Sequence, residues 1–529
     1  MLDRVAALAC LQAKDEIIDL LIVGGGASGL GAAVDAAQRG YRVALVEQED
    51  FARGTSSRST KLVHGGVRYL RQGNLSLVME ALRERGRLTR NAPHLVHSQA
   101  FVIPNYSWWE GPFYGIGMKV YDRMAGQWGL APSRWLSREE TLERLPTVEP
   151  AHLQGGVIYH DGQFDDARLA LHLAMTAADH GAVLVNYCRC GGLRKEKGRI
   201  TGVLLRDGES GAEWTVRARA VINATGVYVD EVRRQDDPQA APMIAVSQGV
   251  HLVLPSSFLP GEAALMVPKT ADGRVLFAVP WHGRVVLGTT DTPRPEALLE
   301  PRALPEEREF LMTHAGRYLR VPPQPEDVLS IFAGLRPLVR SGSGKDTAAL
   351  SRDHTVVVSE SGLITLTGGK WTTYRKMAED VIDLAQTLTG LPARPCGTID
   401  LALHGAPKGP DEMDADGSLA LYGTDAAHIR AMEKSDPALA GLLHPDLPYR
   451  RAEVVWHVRA EMARTVEDVL ARRTRALLLN ASASIEAAPL VASLMARELH
   501  QGEDWERDQV ERYSRLARGY CYPGETGER

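Results

Sequence analysis

IIDLLIVGGGASGLGAAVDAAQRGYRVALVE, residues 17 to 47, decides the fold. From Ile17 to Val23 the chain is apolar apart from Asp19, which suits a buried strand. That strand delivers Gly24, Gly26 and Gly29 in G-x-G-x-x-G order to an alanine-rich helix, and a second apolar strand ends on Glu47. Glycine lets backbone come close to a pyrophosphate at a helix N-terminus, where unpaired N–H groups and the helix dipole favour anions. An acid 18 residues past the third glycine stands where ribose hydroxyls need an acceptor. The spacing predicts a strand–helix–strand unit that holds a dinucleotide.

Around that unit the chain has 529 residues, enough for two or three domains, and 44% apolar residues, ample for buried cores. A net charge of -5 and a pI near 6.4 give no global attraction to nucleic acid, which is not expected as a partner. The five cysteines, at 10, 188, 190, 396 and 521, form no C-x-x-C pair and no metal spacing, which predicts reduced thiols in a cytosolic setting and no metal site. No run reaches the roughly 18 uncharged apolar residues that a membrane-spanning helix needs. The apolar stretch Val5 to Leu11 is short and preceded by Asp3 and Arg4, so it reads as an amphipathic helix and not as an export signal.

Farther along, RAVINATGVYVD (219–230) is a second strand and turn, and LITLTGG from Leu363 is a third, leading into a helix through KMAEDVIDLAQTL. These pieces read as one parallel sheet. The segments between, about 101–150 and 241–330, carry aromatics, prolines and short runs such as VVLGTT, which suits an inserted antiparallel domain. After Pro392–Pro395, residues Val454, Val455, Val458, Met462, Val466 and Val469 recur at helical spacing, with the charges between them read as solvated faces of a packing or oligomerisation module.

Three segments are candidates for chemistry. FARGTSSRSTKLVHGGVRYLRQGNLSLVM (51–79) holds Arg53, Arg58, Lys61, Arg68 and Arg71 with no acid, as if built to receive phosphate, and Ser56, Ser57, Ser59 and Thr60 add donors. Its Gly65 and Gly66 imply close backbone approach to something. FAGLRPLVRSGSGKDTAALSRDH gathers Arg336, Arg340, Lys345 and Arg352, offset by Asp346 and Asp353; Arg336 lies beside an apolar run, where a guanidinium needs either a ligand anion or an internal carboxylate. In TGGKWTTYRKM, glycines end a strand and Lys370 opens a helix, placing positive charge and N–H donors together. His251 begins an alternating strand and is either a satisfied core histidine or a base whose ordinary pKa suits taking a hydroxyl proton.

Taken in order, GGGASGLGAAVDAAQRG, TSSRSTKLVHGGVRYL, INATGVYVD, GTTDT, GLRPL, SRDH, TGGKWTTYRKMAED and EMARTVEDVLARRTRALLLNA resemble the motifs of the FAD-dependent glycerol-3-phosphate dehydrogenases, over nearly the whole chain. The resemblance implies an α/β fold: a discontinuous Rossmann-like FAD-binding domain (1–100, 150–240, 331–395), an inserted antiparallel β substrate domain (101–149, 241–330) and an α-helical C-terminal domain (396–529). It implies extended FAD held by Gly24, Gly26, Ser28, Gly29, Glu47, Thr55, Ser56, Ser57, Ser59, Thr60, Lys61, His64, Gly65, Gly66, Ala224, Thr225, Gly226, Gly369, Lys370 and Thr372. Onto the substrate pocket it carries Arg68, Tyr69, His251, Arg336, Arg352 and Lys370, with His251 nominated as base, Arg336 as electrostatic stabiliser and Lys370 able to share either role. The implied reaction is oxidation of glycerol 3-phosphate to dihydroxyacetone phosphate with electrons passed to a quinone, in an enzyme at the cytoplasmic face of the inner membrane and compatible with a homodimer. Val227, Tyr228 and His354 depart from the family's commonest wording and bear on pocket shape, and no calcium-loop segment is expected.

Because a quinone lies in the bilayer, the aromatic stretch with Trp108, Trp109, Phe113, Tyr114, Trp128 and Trp135 beside Lys119 and Arg123 reads either as a monotopic docking surface or as an aromatic core. Rival functions are a glycerol-3-phosphate oxidase that releases peroxide, an amine or amino-acid oxidase, and a non-catalytic flavin-binding sensor.

Overall fold

The computed structural model describes residues 1–13, 16–66, 74–268, 270, 274–340, 354–409, 412 and 417–523. The strand Ile17–Val23 forms as expected and lies at the centre of an eight-stranded sheet. It pairs in parallel with Val43–Val46 on one side and with Glu213–Asn223 on the other, and Ile364–Gly368 adds in parallel beyond the latter. Successive side chains of a strand point to opposite faces. Leu20 and Ile22 accordingly enter a core shared with the helices Ala27–Gln38, Asp166–Asp179 and Tyr374–Thr389, while Leu21 and Val23 enter a second core on the other side. The three segments read as one sheet do share one.

A second, ten-stranded sheet is mostly antiparallel. Its membership corrects the boundaries drawn from the sequence. Gly155–Phe164 pairs along its length with Val96–Asn105, and Ser330–Val339 pairs residue for residue with Ile244–Val253. Both strands sit in this sheet although their positions in the chain had grouped them with the dinucleotide-binding unit. A division at residue 330 cuts off one strand of a continuous ladder, because pairing partners are separated by some 80 residues of intervening chain.

Helix Glu110–Ala125 lies outside this sheet and turns Met118 and Tyr121 inward onto a cluster containing Phe101 and Tyr159. Its aromatic neighbourhood is divided. Tyr114 packs against that cluster and Trp128 lies under Arg90, whereas Trp108 is 84% exposed and Trp109, Phe113, Ile116, Val120 and Trp135 are exposed beside it.

The C-terminal region is helical, but its long apolar repeat is interrupted. The helix Arg451–Ala460 stops, Met462 and Arg475 take left-handed backbone (φ 58° and 65°), and a π-helical turn spans Asp468–Arg473. Some of the charges here are solvated, as helical spacing had suggested, among them Arg459, but others are not. Glu461, Asp468, Arg472, Arg473 and Arg475 are buried, and their pairs reach into the nucleotide-binding unit: Arg168 to Glu461 at 2.7 Å and Arg475 to Asp166 at 3.0 Å. Buried charges require such partners. Among the described residues no helix is long and apolar enough to cross a membrane.

Candidate active site

A cleft of about 460 Å³ runs from the glycine turn after Val23, between the two sheets, to His251 and Arg336. At its first end the glycines are required by space. A Cβ on Gly24 would lie 2.6 Å from the Ala224 carbonyl oxygen, and one on Gly29 only 1.9 Å from that of Gly24. Gly29 therefore does not line the cleft; it lets the helix close onto the turn. Gly24, Gly26, Ala27 and Ser28 do line it, and the Ala27 N–H donates to Ser56 Oγ at 2.9 Å. Glu47 lines the cleft and accepts from Gly25 N–H (2.6 Å) and Glu49 N–H (2.9 Å). Burial pushes its carboxyl up to about 7 against the pull of those two amides. Beyond it lie Gln48, Arg189, Cys190, Val232 and Gln235, which carry no motif and escaped sequence reasoning.

The loop from 51 to 61 is basic in sequence and neutralised in space. Arg53 pairs with Glu467, and Arg58 donates to Glu300 at 2.7 Å. Lys61 is wholly buried, its Nζ 2.7 Å from Asp166 Oδ2 and 2.8 Å from the Ser57 carbonyl. This corrects the expectation that Lys61 follows the cofactor phosphates: its ammonium points away from the cleft into an internal pair. Ser57, whose carbonyl also takes Arg475, is likewise turned away from the cleft. Ser59 gives both its N–H and its hydroxyl to Asp166, while Thr55 donates to the Leu335 carbonyl. The close approach implied by the paired glycines is, at Gly65, to Tyr121 and Leu82, and the Tyr121 hydroxyl accepts from Gly65 N–H at 3.0 Å. Gly66 has left-handed backbone at φ 79° and, like Gly65, is not a lining residue.

From the opposite wall, Gly368 and Gly369 take left-handed backbone and deliver Lys370 to the cleft. Trp371 Nε1 donates to the Ser56 carbonyl at 2.9 Å, Thr372 bonds the backbone of His64, and Ala224, Thr225 and Gly226 complete this wall. Arg68, Tyr69 and Arg352 lie outside the described residues.

The second sheet floors the far end. On the ladder of Ile244–Val253 with Ser330–Val339, Gly249 stands opposite Gly334, His251 opposite Phe332 and Ser247 opposite Arg336. These alternate positions share one face. With no side chain at Gly249, the Arg336 guanidinium folds over it; a Cβ there would lie 2.2 Å from Nη2. Arg336 donates to the Thr290 carbonyl (3.2 Å) and Thr289 Oγ1 (3.2 Å) and lies 3.4 Å from Asp291. The internal carboxylate expected as one alternative for Arg336 is Asp291, and Arg336 also lines the cleft. His251 is stacked on Phe332, with ring centroids 4.7 Å apart, and its Nε2 is 2.9 Å from Thr60 Oγ1. Burial, and then Arg336 and Lys61, keep its pKa well below the ordinary value, so the imidazole is neutral at neutral pH. Phe101, Tyr159, Met266, Arg274 and Phe277 also line this end. Sequence reasoning missed them, because no motif marks them.

The glycine cradle, the N-terminal turn of Ala27–Gln38 at the cleft and the length of the cleft fit an extended dinucleotide reaching a reactive end over the second sheet. A family model described as FAD dependent oxidoreductase matches residues 19–375, and one for the C-terminal domain of alpha-glycerophosphate oxidase matches 360–509. The chain is 41% identical over 551 residues to the mitochondrial glycerol-3-phosphate dehydrogenase of Homo sapiens, covering 98% of this chain and 75% of that protein. It is 39% identical over 534 residues to that of Arabidopsis thaliana, covering 93% and 84%. The structure of glycerol-3-phosphate dehydrogenase from Bacillus halodurans complexed with FAD is similar over 99% of both chains, with a TM-score of 0.79 at 30% identity. L-alpha-glycerophosphate oxidase from Mycoplasma pneumoniae shares the fold, with a TM-score of 0.57 at 18% identity over 72% of this chain and 96% of that one.

Proposed function

Since the chain belongs to the FAD-dependent glycerol-3-phosphate dehydrogenases, we propose that it oxidises sn-glycerol 3-phosphate at the secondary carbon to dihydroxyacetone phosphate and passes the electrons to a membrane quinone. The observation that carries this reading is the placement of His251 and Arg336 on one face of one ladder, at the end of a cleft that begins at a dinucleotide turn. Bound FAD supplies the hydride acceptor. Glu47, the Gly24–Ala27 turn and the Ala224–Gly226 and Gly369–Thr372 segments hold it along the cleft.

His251, its imidazole neutral, is proposed as the base that receives the proton of the substrate hydroxyl. Arg336, fixed through Thr289 and Thr290, presents charge to the oxygen on which negative charge grows, and Lys370 adds a second cation on the facing wall. Arg352 and Arg68 are proposed as ligands of the phosphate dianion, where guanidinium forks suit it.

Membrane contact is proposed at the exposed band of Trp108, Trp109, Phe113, Ile116 and Val120, with Lys119 and Arg123 exposed beside it for anionic headgroups. The inner face of the same helix packs on residues that line the cleft, so an apolar acceptor bound at the band is near the reactive end. Anaerobic mixing of the holoenzyme with glycerol 3-phosphate should bleach the flavin absorbance; a flavin that stays oxidised would sink the reading. Peroxide yield in air, with and without a soluble quinone, separates the dehydrogenase from the oxidase alternative.

A further inference from the structure

We propose that Thr60 is a catalytic residue of this site, its hydroxyl passing the substrate's alcohol proton to Nε2 of His251. The proposal deepens the reading of His251 as base and rests on it. His251 is set back from the open cleft: only 1% of it is exposed, Phe332 covers one ring face at 4.7 Å, and Gly288 lies so close that a Cβ there would come within 2.2 Å of Cδ2. The ring atom that meets a polar neighbour is Nε2, and that neighbour is Thr60 Oγ1 at 2.9 Å. Thr60 itself is half-buried and lines the cleft. A hydroxyl so placed can touch both the substrate and the imidazole.

Thr60 is also held more firmly than a loop residue ordinarily is. The residue before it, Ser59, gives its N–H (2.9 Å) and its hydroxyl (2.7 Å) to Asp166. The residue after it, Lys61, has left-handed backbone at φ 64° and gives its ammonium to the same carboxylate. Arg475 reaches in from the C-terminal region to lock Asp166 at 3.0 Å. The internal pair that removes Lys61 from the cofactor phosphates therefore fixes the hydroxyl between two anchors on one buried acid. Catalytic groups are effective when such supports hold them in place.

The relay uses the tautomer with the imidazole proton on Nδ1, in which the Thr60 hydroxyl donates to the Nε2 lone pair. On reaction the substrate O–H bond breaks as a new Oγ–H bond forms on Thr60, while the former Oγ–H bond breaks as Nε2–H forms. The threonine hydroxyl is restored and the imidazole becomes imidazolium. The electron pair left on the substrate oxygen becomes the second bond of the product carbonyl as the carbon loses its hydride to the oxidant that the activity already uses. Both transfers occur together, since a free threonine alkoxide is too basic to accumulate.

The test is anaerobic flavin reduction in holoenzyme of wild type, T60V, T60S and H251N, followed in mixtures of light and heavy water. Two protons in flight give the wild type a bowed dependence of rate on deuterium fraction. T60V should lose on the order of 10²-fold in limiting reduction rate, with KM changed far less and the dependence straightened. T60S should recover most of the lost rate and the bow. Flavin absorbance per chain shows that each variant is loaded. A straight wild-type dependence, or T60V and T60S equally slow with matching lines, would overturn the relay. If H251N is slow while T60V is not, the relay fails and the base stands; if H251N reduces its flavin at the wild-type rate, the base assignment itself is gone.

Discussion

Arg473, in the C-terminal helical region, forks across both carboxylate oxygens of Asp50, three residues beyond the acid that ends the second strand of the dinucleotide unit. Arg472 and Asn186 bind the same carboxylate. Burial opposes ionisation of Asp50, but Arg473 and Arg472 outweigh it and hold the carboxyl well below the usual carboxylate range. The C-terminal region is thus bolted to the segment that carries Glu47 and the cofactor loop.

Asp50→Ala leaves the buried Arg473 without its carboxylate, while Arg472 keeps Glu467 and Asp468, and breaking a buried pair from one side costs about 3–5 kcal/mol. The variant should unfold at a clearly lower temperature and release FAD faster, both measurable by thermal unfolding followed through flavin fluorescence. A melting curve equal to wild type would show that the contact contributes nothing.

His404 bridges Asp179 at 2.6 Å and Asp425 at 2.9 Å, tying helix Asp166–Asp179 to the C-terminal region. Burial lowers its pKa, but the two carboxylates prevail and raise it to about 9. The folded value exceeds the unfolded value of 6.5, so this contribution is full below pH 6.5 and is lost as pH rises through 9. Melting temperature should fall over that window, and His404→Gln should flatten the fall.

Arg336→Met keeps an unbranched apolar stem and removes the guanidinium with its charge. If the guanidinium acts on the developing alkoxide, the reduction rate drops about 10²–10³-fold with a smaller change in KM, as for the loss of an oxyanion donor. A purely raised KM at unchanged limiting rate would make Arg336 a binding group instead.

Trp108→Ala combined with Trp109→Ala removes two exposed indoles of the band without touching the cleft. Sedimentation with vesicles containing anionic lipid should fall several-fold while flavin reduction by glycerol 3-phosphate persists. Undiminished sedimentation would remove this band as the membrane contact.

The sequence alone determined the elements whose physics is local. The apolar run Ile17–Val23, the turn at Gly24, Gly26 and Gly29, and Lys370 at a helix start are set by side-chain periodicity and by space at the backbone, both written in adjacent residues. Tertiary structure alone decided which charges are free. Lys61 looked like a phosphate ligand until Asp166 stood against it, and Arg53, Arg58 and Gly65 found Glu467, Glu300 and Tyr121 in the same way. It also decided that residues 155–164 and 330–339 join the second sheet, and that Thr60 stands 2.9 Å from His251 across 191 residues of chain. Pairings over such separations depend on which surfaces meet after the chain collapses, and no window of sequence carries that information.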